Sequence, residues 1–280
     1  MHLNEVTLVC FDTRNIDAAI ESMRLSLAQI SFNKNILFTS ESLCSKEHLS
    51  KVKNLNIKLE FIDDVQSITD YSHFILVRLN EYIHTNYCLV TQWDGWVINK
   101  DFWDSNFLKF DYIGAVWPHH DDNKIGNGGF SLRSKKLLKS TKLMVQNEVN
   151  LPSNLIEDDY ICREKRLTLE NEYQVKFPSD EIANKFSVEG NGIPNKSFGF
   201  HGMDNFNVVM KEEALINFIN KLENNHFTNR ASYDLAKKLI LEGRFEIAKL
   251  IIKKRLISNG INKKHLKLLL LLKIKNISLS

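Results

Sequence analysis

The sequence predicts an α/β protein, a mostly parallel sheet flanked by helices and followed by an α-helical appendage. Three observations carry this expectation. In the N-terminal part of the chain, short apolar runs alternate with helically spaced segments, the pattern of a parallel sheet with covered faces. After Asn207, helical spacing dominates. Charge divides along similar lines. Leu235 to Ser280 holds 12 Lys/Arg against 2 Asp/Glu, a local net of +10, and the rest carries 25 basic and 32 acidic residues, −7, within a total of +3. An acidic body and a basic tail point to two regions with different partners.

Val6 to Phe11 (VTLVCF) reads as a buried strand that delivers a polar loop, Asp12-Thr13-Arg14. Ala18 to Ile30 has helical spacing, with Ile20, Met23, Leu27 and Ile30 on one face. Lys34 to Thr39 and Ile57 to Ile62 read as strands, Tyr71 to Ile83 as a helix, and Tyr87 to Gln92 as a fourth strand ending in Gln92-Trp93-Asp94-Gly95. Tyr112 to Trp117 (YIGAVW) is expected to be a further strand. Pro118 to Asn127 is polar and turn-rich, Gly128 to Leu132 is strand-like, and Ser134 to Val145 is a basic helix. Glu157 to Tyr160 opens a helix, where carboxylates suit the positive end. Val208 to Leu222 is amphipathic. Ser232 to Leu256 reads as two helices turning at Glu242-Gly243-Arg244, in the manner of one tetratricopeptide-type pair (Ala236, Leu239, Gly243, Phe245, Ala248). The expected division is 1–206 for the body and 207–280 for the helical region.

Of the 280 residues, 43% are hydrophobic and 25% charged, which excludes disorder, collagen-like repeats and a disulfide scaffold as descriptions of the chain. Cys10, Cys44, Cys88 and Cys162 are far apart and lack zinc or redox spacing. A reducing cytoplasm is expected. The opening residues carry no basic stretch leading into an apolar run. The longest apolar run, Leu268 to Leu272, is far short of the ~20 residues that span a bilayer.

Four segments hold residues able to carry chemistry. Asp94 at a strand end can ligate a divalent cation beside a diphosphate; Asp-Gly is equally a turn signal. Gly126 to Arg133 (GNGGFSLR) lets a ligand approach the backbone closely, or forms a bend entering a strand. Glu157-Asp158-Asp159 can supply a general base, or simply solvate a helix start. His201, in Phe198-Gly199-Phe200-His201-Gly202, can bind metal or phosphate, or pack in the core. His119-His120-Asp121-Asp122 lies in a polar loop, where neighbouring side chains seldom reach one ion.

In this order the segments resemble the GT-A glycosyltransferase fold, a Rossmann-like architecture. They are similar in particular to a bacterial GT-A family with Q-x-D, D-Y-I-G-A-x-W, G-N-G-G-x-S-L-R, E-D and F-G-x-H motifs. These stand here as Gln92 to Asp94, Asp111 to Trp117, Gly126 to Arg133, Glu157-Asp158 and Phe198 to His201. The likeness spans roughly Val6 to Gly202. It implies a nucleotide-diphosphate sugar donor, uridine diphosphate by preference, and a surface-glycan hydroxyl as acceptor. Asp12, Thr13, Arg14, Gln92 and Asp94 would lie at the nucleotide. Asp94 and His201 would hold Mn2+ or Mg2+. Gly128, Gly129 and Ser131 would bound the sugar. Asp158 would act as base in an inverting transfer, with Glu157 or Asp159 on a sugar hydroxyl. Gln92 replaces the first acid of D-x-D, so the site has one charge fewer for a cation. That departure leaves a non-catalytic glycan- or nucleotide-binding protein as the alternative, alongside a metal-dependent nucleotidyltransferase.

No nucleic-acid partner is expected of the acidic body. The tail Lys263 to Lys275 (KKHLKLLLLLKIK) has two readings. Its leucines pack on the preceding helix pair, which is the reading preferred, or the helix makes a peripheral membrane or protein contact at the inner face of the membrane.

Overall fold

The computed structural model describes residues 1–148, 152–190, 192 and 194–277. The chain falls into two compact units, Met1–His201 and Gly202–Ser280, and each is described separately.

The first unit is the mixed α/β body. Strand β1 (His2–Phe11) leads to α1 (Ile16–Gln29), β2 (Ser31–Thr39), α2 (Lys46–Asn54) and β3 (Lys58–Phe61). Helix α3 (Ile68–His73) runs through a π turn at Phe74–Arg78 into α4 (Leu79–Tyr82) and then β4 (Tyr87–Thr91). After β5 (Gly95–Val97), β6 (Tyr112–Ile113) and β7 (Phe130–Ser134) come α5 (Lys135–Asn147), α6 (Glu157–Asp159) and α7 (Arg166–Glu172). Helix α8 (Asp180–Phe186), β8 (Ser187–Val188) and β9 (Gly199–His201) complete the unit.

The main sheet has the order β3-β2-β1-β4-β7-β6. β3, β2, β1 and β4 are mutually parallel, and β7 runs antiparallel to both β4 and β6. Alternation along β1 splits the core between two faces. Val6, Leu8 and Cys10 join the cluster beneath α1, with Met23 and Leu89. Val9 and Phe11 join the other, with Phe38, Phe74 and Val90. Asn15 caps α1 by accepting from the Ala18 amide at 3.1 Å. Ser134 ends β7 and caps α5, accepting from the Leu137 amide at 3.0 Å. A second, three-stranded sheet, β5-β9-β8, pairs β5 antiparallel to β9 and β8 parallel to it.

Three elements of the first unit differ from the sequence expectation. The run Tyr112 to Trp117 is a strand only over Tyr112–Ile113, and Val116 makes an isolated bridge to Ile125. A Cβ on Gly114 would lie 1.7 Å from the Gly126 carbonyl oxygen, so the chain turns there under close backbone contact. The antiparallel strand is Phe130–Ser134, not Gly128 to Leu132, because Gly128 and Gly129 form the turn that enters it. Helix α2 had no periodic signal, since Val52 is its one buried side chain.

The second unit is helical: α9 (Phe206–Val209), α10 (Glu212–Lys221), α11 (Arg230–Leu241), α12 (Phe245–Asn259) and α13 (Lys263–Ile277). The expected single helix Val208 to Leu222 is broken at Met210-Lys211. α11 and α12 form a hairpin turning at Gly243, whose φ is +77°, and bury Ala236, Leu239 and Ala248 between them. The appendage's last three residues lie outside the described ones. In α13 Leu268 is fully buried, Leu271 and Leu272 are half-buried, and Leu266, Leu269 and Leu270 are exposed, so the expected inward packing of the leucines holds for one part of the helix surface.

Candidate active site

The strand order reverses between β1 and β4. From β1 the chain builds outward to β2 and β3, and on the far side of β4 it adds β7 and β6. The carboxyl ends of two such neighbouring strands open a crevice, where α/β sheets bind ligands. Asp12 follows β1 and Gln92 follows β4, with Cys10 and Thr91 in register just before them.

The turn after β4 is held by its own backbone and by α1. The Gly95 amide donates to the Gln92 carbonyl at 3.2 Å. The Ser22 hydroxyl lies 2.8 Å from the Gln92 carbonyl and 2.7 Å from that of Gly95. The turn carries Asp94, and β5 then pairs with β9 so that Gly95 sits opposite His201. His201 Nε2 lies 3.2 Å from Gln92 Oε1 and 3.2 Å from Asp94 Oδ1. The Gln92 amide nitrogen donates to the Tyr71 hydroxyl at 3.3 Å, which turns its oxygen toward the histidine. On the other edge of the ring, Nδ1 lies 3.0 Å from Asn127 Nδ2 and 3.3 Å from Glu189 Oε1. Burial alone would favour the neutral imidazole. Asp94 and then Glu189 outweigh it and hold the pKa of His201 well above the usual imidazole value.

These residues fit the divalent cation that the sequence resemblance implies. Asp94 Oδ1 is buried and has no hydrogen-bond partner of good geometry, although it is an ion-pair distance from His201. A buried carboxylate oxygen that faces an imidazole at 3.2 Å keeps acceptor capacity that a cation would satisfy. The carboxylate and the amide oxygen suit Mn2+ or Mg2+, and the imidazole favours the transition metal Mn2+ over the hard, oxygen-preferring Mg2+. Among the described residues no three His, Cys, Asp or Glu side chains are grouped so as to hold a metal ion, and the third member of the set here is the neutral Gln92.

The Gly-rich segment connects this cluster to the acidic helix start. Asn127 has φ +62°. Its side-chain oxygen accepts from the Gly129 amide at 3.1 Å while its amide nitrogen faces His201. A Cβ on Gly129 would lie 2.1 Å from His201 Nε2, and one on Gly128 would lie 1.9 Å from Glu157 Oε1. A side chain at either position would have to displace His201 or Glu157. The Gly128 amide donates to Asp158 Oδ2 at 2.8 Å, and the Asp159 amide donates to Asp158 Oδ1 at 3.0 Å. Asp158 and Asp159 are half-buried.

Two expected site residues are engaged by other groups of the chain. Glu157 is 3% exposed, and both its oxygens are held by Arg133, at 2.7 and 2.9 Å. It is almost wholly buried, so a sugar hydroxyl has little access to it. Burial pushes its pKa above the ordinary value, against the pull of Arg133. Ser131 is fully buried. Its hydroxyl bonds the Gly128 carbonyl at 3.1 Å and accepts from Arg133 Nε at 2.9 Å, so it braces the turn from inside rather than lining a pocket.

At the β1 end, Asp12 Oδ1 accepts from the Arg14 and Asn15 amides at 2.7 Å each. Burial raises its pKa to about 6, against those two hydrogen bonds and with a further push from Asp94. Thr13 is half-buried and Arg14 exposed. His119 and His120 stack near Trp117, and the Arg163 guanidinium bonds Asp122, so that loop contributes no side chain to the cluster around His201. Sequence reasoning gave no role to Arg133, Asn127 or Glu189. Asn127 and Arg133 stood within the Gly-rich motif, while Glu189 had only its place at a strand end as a signal.

A family model described as "Protein of unknown function (DUF5672)" matches residues 53–201, more than half of the chain. No curated protein matches the sequence. Among solved structures, a glycosyltransferase involved in glycosylation of the major capsid of PBCV-1 is 14% identical, covering 70% of this chain and 91% of that one, with a TM-score of 0.44. Mannosyltransferase PcManGT from Pyrobaculum calidifontis, in complex with GDP-Man and Mn2+, is 12% identical, covering 99% and 74%, with a TM-score of 0.42. The galactosyltransferase LgtC, in complex with donor and acceptor sugar analogs, is 13% identical, covering 70% and 86%, with a TM-score of 0.39.

Proposed function

We propose that this chain, which belongs to the DUF5672 family, transfers a sugar from a nucleotide-diphosphate sugar to a glycan hydroxyl. The observation that carries the reading is the convergence of Gln92, Asp94 and His201 at one point, tied through Asn127 to the Gly128–Gly129 turn and through Gly128 to Asp158. In this reading the diphosphate lies at the carboxyl ends of β1 and β4, with uridine diphosphate the preferred carrier. Gln92, Asp94 and His201 hold Mn2+ or Mg2+, which when bound offsets the charge developing on the departing diphosphate. Asp12, Thr13 and Arg14 border the nucleotide. The paired glycines let the donor sugar approach the backbone.

Asp158 is the base of an inverting transfer. Each of its oxygens accepts one backbone N–H, and an ionised carboxylate has about four acceptor positions. The two that are left can take the proton of an acceptor hydroxyl. Asp159 holds a sugar hydroxyl beside it in this reading.

The test is a thermal-shift panel of nucleotide sugars with and without Mn2+, read together with release of the free nucleotide. Stabilisation by one nucleotide class, enhanced by Mn2+ and lost in Asp94→Asn, is expected. No response to any nucleotide sugar refutes the reading. Stabilisation without turnover on any glycan acceptor assigns a binding protein instead.

A further inference from the structure

Helix α13 has an outward face of mixed apolar and basic side chains. His265 and Leu268 are buried, and α13 contacts α11 and α12. Outward, Leu266, Leu269, Leu270 and Ile274 remain 56, 42, 60 and 55% exposed. Lys263, Lys267 and Lys273 are exposed too. At about 100° per residue, these seven side chains fall within an arc of roughly 160°. Around that arc the order is Leu269, Lys273, Leu266, Leu270, Lys263, Ile274, Lys267, so the lysines stand between the apolar side chains and do not merely flank them. From Ile247 to Ser280 the sequence has nine Lys/Arg and no Asp or Glu.

We propose that this face of α13 lies on the surface of an anionic lipid bilayer. The charge and the interleaving choose the occupant. Two copies of the face would oppose cation to cation with no acid to relieve them. A protein groove that took the leucines would have to bury Lys263 and Lys273 between them, at the cost of desolvating two ammonium groups. A bilayer interface accepts both kinds of side chain. The leucines enter the boundary of the acyl region, and the lysine stems run along them so that the ammonium groups reach lipid phosphates. Among the described residues no helix is long and apolar enough to cross a membrane, so α13 lies on the bilayer and does not span it.

The experiment is co-sedimentation of the full chain with vesicles of phosphatidylcholine alone and of phosphatidylcholine mixed with phosphatidylglycerol. Binding to the mixed vesicles only is expected, weakening as salt rises. Lys263→Gln/Lys267→Gln/Lys273→Gln is expected to reduce partitioning at least about tenfold. Leu266→Ser/Leu270→Ser/Ile274→Ser is expected to reduce it comparably. All six side chains are exposed, so the variants fold, which an unchanged melting temperature verifies. Equal binding to both vesicle types, no binding, or binding indifferent to the leucine variant overturns the proposal. Self-association abolished by the leucine variant also overturns it, and assigns the face to a second copy.

Discussion

Arg133 and Glu157 decide whether the turn next to Asp158 is a frame or a ligand surface, and a double-mutant cycle tests this. Arg133 is fully buried and Glu157 nearly so, and they share two parallel N–H···O contacts of 2.7 and 2.9 Å. The pair is buried within the first unit, between β7 and the start of α6. Arg133 also donates to Ser131, which bonds the Gly128 carbonyl. Removing one partner strands the other charge in the interior, which costs about 3–5 kcal/mol. Removing both leaves only a packing defect, which similar apolar volumes largely repair. Arg133→Met and Glu157→Leu should therefore each destabilise the chain by about 3–5 kcal/mol. The double variant should lose far less than their sum, with a coupling of at least about 2 kcal/mol.

Denaturant titration of the four proteins, followed by circular dichroism, measures the cycle. Additive single effects refute the buried pair, and so do single losses under about 1 kcal/mol, the range of exposed pairs. Glu157→Gln adds a functional readout. It keeps the shape and removes the charge, so a stable Glu157→Gln protein that has lost acceptor affinity alone would return Glu157 to the sugar.

The other predictions concern residues around the same crevice. Asp158→Asn should reduce transfer by about 10²–10⁴-fold while leaving nucleotide-induced stabilisation in place; turnover equal to that of the unaltered chain removes Asp158 as the base. Gly129→Ala places a methyl group on the His201 ring and should abolish the Mn2+-dependent thermal shift at a folding cost of about 1–3 kcal/mol; an unchanged Mn2+ response means that His201 does not hold the cation. Asp12 has a folded pKa raised from 3.8 to about 6, so its stabilising contribution is fully present below the lower value and is lost as pH rises through the upper one. Asp12→Asn keeps the oxygen that caps Arg14 and Asn15 and should be more stable than the unaltered chain above pH 6, by at most about 3 kcal/mol. Parallel melting-temperature curves for the two proteins between about pH 4 and pH 8 would contradict the buried, uncharged-leaning carboxyl.

The parallel strands were legible because each is an apolar run closed by a polar turn. Asp12 and Asp94 stand where β1 and β4 stop, and strand ends are visible in a sequence. The run through Trp117 misled because burial has other causes. Trp117 is apolar for its packing on Gly126, where a Cβ would lie 2.3 Å from the indole, and not for a place in the sheet. Glu189 was illegible. Its partner is twelve positions away, on the neighbouring strand of a small sheet whose strands are two and three residues long.

The Gly-rich motif shows the limit most clearly, because it divides at Phe130. Before it, Asn127, Gly128 and Gly129 touch His201, Glu157 and Asp158 through backbone atoms, a short polar side chain and the lack of any Cβ. After it, β7 alternates. Phe130 and Leu132 join the apolar core, and Ser131 and Arg133 turn the other way toward Glu157. A hydroxyl and a guanidinium beside two glycines look like ligand-binding groups in sequence. The period of two places them on one face of a strand that is paired on both sides, so their partners are other groups of the chain. The residues that hold the turn and the residues that the turn presents are thus adjacent in sequence. What separates them is the strand register, which begins one residue after Gly129.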